Sequence, residues 1–211
     1  MRVSNLIKSV ALLLMVPSVA PAQTVTKPVH NIIVEKHEEI HACIRQGKSA
    51  EDIRERATLI TNSFIDFDEL ARLTIQCHWK EIKKERRKEF VKLFKGVVQR
   101  NYVKHLKPSK KIEILTKSHV TFKKGKARAF ALLRLDDVVV RVEYRLHKPS
   151  DKKGWWVYDM IIDDVSLVRN YRSQFHKILK RGGITRLLEA LRKAEHKAHH
   201  KGHHKGHHEQ G

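Results

Sequence analysis

The chain has 211 residues, with 44 Lys and Arg against 23 Asp and Glu, a formal net charge of +21, and two cysteines. Charges interrupt every apolar segment beyond the first one, which excludes a membrane-spanning helix of about 20 residues there. Two cysteines exclude a disulfide-dense scaffold.

The first 22 residues read as a secretory leader. Arg2 and Lys8 flank the start of an apolar run, Val10 to Val16, followed by Pro17 and the small-residue exit Ala20-Pro21-Ala22. Cleavage is expected after Ala22, and no Cys follows it to carry a lipid anchor. Losing Arg2 and Lys8 leaves +19 (21 − 2). Such a charge in a cytoplasmic chain would suggest nucleic acid. Export removes that partner and leaves anionic lipid headgroups, an acidic protein surface or solubility alone.

Residues 23–195 have the size of one domain. Its front half reads helical. Ile32, Ile33, Ile40, Cys43 and Ile44 recur near helical spacing between Pro28 and Gly47. Ser49 with Asp52, and Asp66 with Glu69, resemble capping boxes that open two further helices, the second running to about Cys77. A longer helix is predicted from about Lys80 to Leu106, with Phe90, Leu93, Phe94, Val97, Val98 and Tyr102 as its apolar stripe and Pro108 beyond its end. Cys43 and Cys77 both fall in helical segments, and spacing leaves open whether they bridge.

The period then changes to two. Ile112 with Ile114, and Val120 with Phe122, alternate with polar residues, and Gly125 marks a turn. Two longer strands, 127–135 and 138–146, meet at Asp136-Asp137. The second carries Val138, Val140, Val142, Tyr144 and Leu146 on one face and Val139, Arg141, Glu143 and Arg145 on the other, as in an antiparallel sheet with one wet face. A last strand spans about 155–162. Leu167, Val168, Tyr171, Phe175, Ile178 and Leu179 then mark a helix stopped by Gly182-Gly183, and Leu187, Leu188 and Leu191 a shorter one. Helices, antiparallel strands and helices again predict an α+β fold. Residues 196–211, HKAHHKGHHKGHHEQG, hold no large apolar side chain and are expected to be disordered.

One segment carries a metalloprotease signature. His37-Glu38-Glu39-Ile40-His41 is H-E-x-x-H, which on a helix can place two zinc ligands and a general base on one face. The longer form of that motif requires Gly where this chain has Ile44, no third ligand stands in a recognisable setting, and fifteen His make a chance occurrence unremarkable. The segment is read as a surface helix of mixed charge. The tail histidines His199, His200, His203, His204, His207 and His208 could chelate a transition metal loosely, without fixed geometry. Asp159, Asp163 and Asp164 cluster near a strand end, where they are expected to cap the next helix or pair with Arg and Lys. No nucleophile elbow or glycine-rich phosphate loop is present. The chain is therefore read as a non-enzyme.

The stretch Trp155-Trp156-Val157-Tyr158-Asp159-Met160, the run Val165-Ser166-Leu167-Val168-Arg169-Asn170-Tyr171-Arg172-Ser173-Gln174-Phe175, and Gly183-Ile184 with Leu187 and Leu191 resemble the MlaC family of periplasmic phospholipid-binding proteins, the toluene-tolerance or ABC-transporter auxiliary family. Phe67-Asp68, the Thr74–Trp79 stretch, Phe90, Phe94 and Tyr102 support the resemblance in order along the chain. Gln76 and Asp164 stand where the family usually has Gly. The resemblance implies a curved antiparallel sheet wrapped by helices, a cone like that of nuclear transport factors, enclosing an apolar cavity. It implies a periplasmic carrier with phospholipid as cargo and no cofactor. Lipid would come from an outer-membrane lipoprotein–porin complex and go to an inner-membrane ABC complex bearing an MCE-domain subunit. The expected lining is Phe94, Val98, Tyr102, Val138, Val140, Val142, Tyr144, Trp155, Tyr171 and Phe175. A hopanoid carrier, or a metal-sequestering protein acting through its tail, are the alternatives.

Overall fold

The computed structural model describes residues 26–103, 112–115 and 119–203. The expected leader and the histidines at 204, 207 and 208 lie outside the described residues.

Helix α1 (Thr26–Gln46) turns Val29, Ile33, Ile40, Cys43 and Ile44 inward. Gly47 follows it at a point with no room for a side chain: a Cβ there would lie 2.2 Å from Ile53 Cγ1 and 2.9 Å from the Cys43 carbonyl oxygen. Helix α2 (Ala50–Asn62) is capped as predicted, Ser49 Oγ accepting from the Asp52 N–H at 3.1 Å while the Asp52 carboxylate accepts from the Lys48 N–H. Helix α3 (Phe67–Thr74) is capped in the same way by Asp66, which accepts from the Glu69 N–H at 3.3 Å.

The predicted continuation of α3 to Cys77 is broken. Ile75 leaves helical geometry (φ −123°, ψ 25°), and a single turn, α4 (Gln76–Trp79), follows. The break has two supports: Ile75 is turned into the core, and the Leu73 carbonyl, freed from the helix, accepts from Arg172 Nε and Nη2 at 3.1 and 2.9 Å. Helix α5 (Lys84–Val103) starts later than predicted.

Six strands follow: β1 (Ile112–Ile114), β2 (His119–Lys123), β3 (Lys126–Leu135), β4 (Val138–His147), β5 (Trp156–Ile162) and β6 (Val165–Ser166). They form one open, curved antiparallel sheet in the order β1-β3-β4-β5-β6, with β2 on the same edge of β3 as β1. The turn between β2 and β3 uses Lys124 and Gly125, and that between β5 and β6 uses Asp163 and Asp164, all four at positive φ. Two left-handed residues match the twist of a tight hairpin, and Asp is among the few side chains that tolerate the position.

Helix α6 (Leu167–His203) contains the predicted glycine interruption as a kink. Gly183 sits at φ 59°, ψ −161°, a region essentially closed to other residues. Beyond it the helix passes the predicted boundary at residue 195 and runs to His203, because Ala, Glu and Lys at 194–198 are good helix formers and no Pro intervenes.

The helices cover one face of the sheet. Ala127, Ala129, Ala131 and Leu133 of β3, Val140 to Leu146 alternately on β4, and Met160 of β5 are buried beneath them. The other face carries Arg128, Arg134, Arg141, Glu143 and Arg145. Helix α1 lies on β1, β2 and β3, and α5 packs against α6 and α3. Cys43 and Cys77 are both free thiols, the first buried and the second exposed, so the bridge left open by the sequence is not formed.

Candidate functional site

The sheet's inward face is apolar along its whole length and does not stop at the core boundary. Val140, Val142, Tyr144 and Leu146 are buried on β4, and one residue pair further on Val138 is 63% exposed. Ile162, opposite Val142, and Val165, opposite Ile162, are also exposed. This apolar surface begins in the core and ends in solvent, at the end of the sheet holding the β3–β4 and β5–β6 turns.

Eight of the ten residues predicted to line a pocket are buried in this interior, but they do not converge on one point. Phe94, Tyr171 and Phe175 meet one another and Phe90, with ring centroids 4.8 Å (Phe94–Tyr171), 5.3 Å (Phe94–Phe175) and 5.7 Å (Phe90–Phe94) apart, and so make the packing contact between α5 and α6. Val98 is buried beside them. Val140, Val142 and Tyr144 line the sheet side. Val138, the first residue of β4, lies outside the helical cover, where its apolar side chain meets solvent. Trp155 sits at the opposite end of the sheet, about 30 Å away at the rise of a strand, beneath Lys148 Nζ (5.0 Å) and against Phe122. The Tyr102 side chain lies outside the described residues.

His37 overturns the reading of its segment as a surface helix. It is buried, and its Nε2 shares a 2.6 Å hydrogen bond with the Tyr144 hydroxyl, linking α1 to β4. Burial pushes its pKa from 6.5 down to about 4, so the ring is neutral. His41 Nδ1 instead lies 3.3 Å from Arg45 Nη1 at the surface. The two histidines of the H-E-x-x-H motif thus serve different partners. No group of three or more His, Cys, Asp or Glu that could hold a metal occurs among the described residues. Side chains of His199, His200 and His203 lie outside that description.

The carboxylates are structural. Asp159 accepts from Ser166 Oγ (2.8 Å), from the Val168 N–H (3.0 Å) and more weakly from Arg145 Nη1 (3.5 Å), fixing the start of α6 as predicted. Asp164 holds Arg141 at 2.9 Å. Asp66 was predicted only as a cap, yet it also receives His147 Nε2 at 2.9 Å and Lys152 Nζ at 2.7 Å. Burial alone would raise its pKa; the bonds from His147, Lys152 and the Glu69 N–H outweigh that and hold it at about 2.

A cavity of about 300 Å³ opens elsewhere, between the α3–α4 break and α6, lined by Ile75, Cys77, His78, Arg169, Arg172 and His176 among others. The sequence offers no pattern for it, because its two walls lie about 100 residues apart and meet only through the fold.

The profile of the MlaC protein family matches residues 35–193. No curated protein matches the chain significantly. Among solved structures, the phospholipid-binding protein from Ralstonia solanacearum, determined in complex with a phospholipid, is similar with a TM-score of 0.67 and 18% identity over 80% of this chain and 97% of that one.

Proposed function

The chain belongs to the MlaC family, and from that premise we propose that it is a periplasmic phospholipid carrier that performs no chemistry on its cargo. The observation that carries the reading is the apolar sheet face that continues from buried Val142 and Val140 to exposed Val138, Ile162 and Val165. A lipid tail exposed to water is disfavoured by about 0.8 kcal/mol per CH₂. A carrier must therefore cover the chains while offering them an apolar way in. A core closed on all sides has no such edge. The Ralstonia protein of the same fold was solved with a phospholipid bound, which supports the same use of the interior here.

Because Phe90, Phe94 and Leu146 are fully buried in this structure, admitting acyl chains requires one wall to yield. The family role then gives the route: lipid received from an outer-membrane lipoprotein–porin complex and released to an inner-membrane ABC complex with an MCE-domain subunit. Energy and direction come from those complexes.

The test is transfer of a fluorescent phospholipid between two vesicle populations too dilute to collide. The carrier reading expects transfer that rises with protein concentration, and falls at least tenfold when Val140 and Val142 are both replaced by Asn in a variant that still folds. No transfer above the spontaneous rate contradicts it.

A further inference from the structure

We propose that the 300 Å³ cavity between α3–α4 and α6 binds the anionic group, phosphate or carboxylate, of a small amphiphile. The site is separate from the sheet face and does not rest on the carrier reading. Arg169, Arg172, Ser173 and His176 lie three, four and seven residues apart on α6 and so share one face of the helix, all of them lining the cavity. Thr74, Gln76 and His78 face them from the α3–α4 break, and Ile75 and Leu179 supply an apolar floor.

The charged side chains that line this cavity are of one sign, although Glu81 Oε2 lies 3.7 Å from His78 Nδ1 beside it. No carboxylate lines it. Several arginines elsewhere in the fold find acids, Arg72 pairing with Glu69, Arg134 with Glu113, Arg141 with Asp164, Arg145 with Asp159 and Arg192 with Glu89, whereas among the described residues Arg86 and Arg87 bond only to neutral oxygens. Arg169 and Arg172 form no ion pair among the described residues. Arg169 Nη2 reaches only the Asp164 carbonyl at 3.4 Å, and Arg172 spends Nε and Nη2 on the Leu73 carbonyl and Gln76 Oε1, leaving Nη1 uncommitted. His176 has no hydrogen-bond partner among the described residues; its ring lies 6.3 Å from that of His78, whose Nε2 is buried without a partner. Cationic and ring donors thus gather here without a carboxylate, Arg169 and His176 open to solvent and His78 Nε2 shielded from it, an arrangement that an anion completes. The volume lies at the low end for ligand pockets, enough for one charged group and a short hydrocarbon segment but not for a diacyl lipid.

Hexyl phosphate is the probe, with inorganic phosphate and hexylammonium as controls, read by the ¹H–¹⁵N resonances of the His78 and His176 rings in the full-length protein. The site predicts saturable 1:1 binding of hexyl phosphate that moves both rings, at least tenfold weaker binding of inorganic phosphate, and none of hexylammonium. Arg169→Gln with His176→Gln should weaken hexyl phosphate at least tenfold while phospholipid transfer between vesicles stays unchanged. Arg172 is left intact because it holds the Leu73 carbonyl. Absence of saturable shifts, equal binding by the double variant, or equal binding of hexylammonium overturns the proposal. Inorganic phosphate binding as tightly as hexyl phosphate overturns its apolar part and identifies a plain anion site.

Discussion

His37 and Tyr144, 107 residues apart in sequence, share a 2.6 Å hydrogen bond inside the apolar interface between α1 and β4. A histidine in that setting makes stability depend on pH in a definite direction. Folding lowers its pKa from 6.5 to about 4, so between those values the unfolded chain binds a proton that the folded chain refuses. The stabilisation tied to the neutral ring is complete above pH 6.5 and is lost as the pH falls to 4, roughly 3 kcal/mol in all. Urea unfolding between pH 7.5 and 4.5 should register that fall, and His37→Leu should flatten it. An equally steep profile in the variant would rule His37 out as its source.

Tyr144→Phe should lower stability by about 1–3 kcal/mol, since it leaves a buried ring nitrogen without its bond. Combining it with His37→Leu should be less damaging than the sum of the two changes, because the orphaned group is then gone. Neither change should alter the metal content of the purified protein. A metal lost with His37 would restore the zinc reading of the H-E-x-x-H motif.

Asp66 gives a second acid-sensitive window, separated from the first. Its folded pKa of about 2 lies below the usual 3.8, so its contribution is complete above pH 3.8 and is lost as the pH drops to 2, about 2 kcal/mol. Asp66→Asn should remove that contribution at neutral pH as well, because His147 and Lys152 then face an uncharged amide. Unfolding midpoints at pH 7 would detect it, and an unchanged midpoint would contradict the tie between α3 and the sheet.

The thiols should differ sharply. Cys77 is exposed, whereas Cys43 is buried, donates to the Ile53 carbonyl at 3.5 Å and has its pKa raised by burial. A thiol reagent should modify one cysteine per native chain quickly and the second only on unfolding. Two fast equivalents, or none, would contradict the placement.

Local signals carried most of the architecture. The alternation of Val138 to Leu146, the caps at Ser49 and Asp66 and the turns at Gly125 and Gly183 are each decided within a few residues, and each stands where the sequence places it. His37 is buried where a surface helix is expected, and its spacing carries the signal: it follows Ile33 by four residues and precedes Ile40 by three, which puts it on the buried face of α1. The break at Ile75 was not legible, because the Arg172 side chain that supports it comes from nearly 100 residues away. The same holds for the basic cavity, whose walls are brought together by the packing of α3 on α6. Periodicity marks the buried face of β4 but not where the helical cover ends, and Val138 lies beyond that cover.

The central claim is that the apolar interior between sheet and helices opens to hold a phospholipid. Native mass spectrometry of the protein after incubation with phospholipid vesicles and gel filtration tests it most directly. The account predicts a 1:1 adduct with the mass of a diacyl phospholipid, greatly reduced when Val140 and Val142 are changed to Asn. A folded protein that emerges at the mass of its polypeptide alone would contradict it.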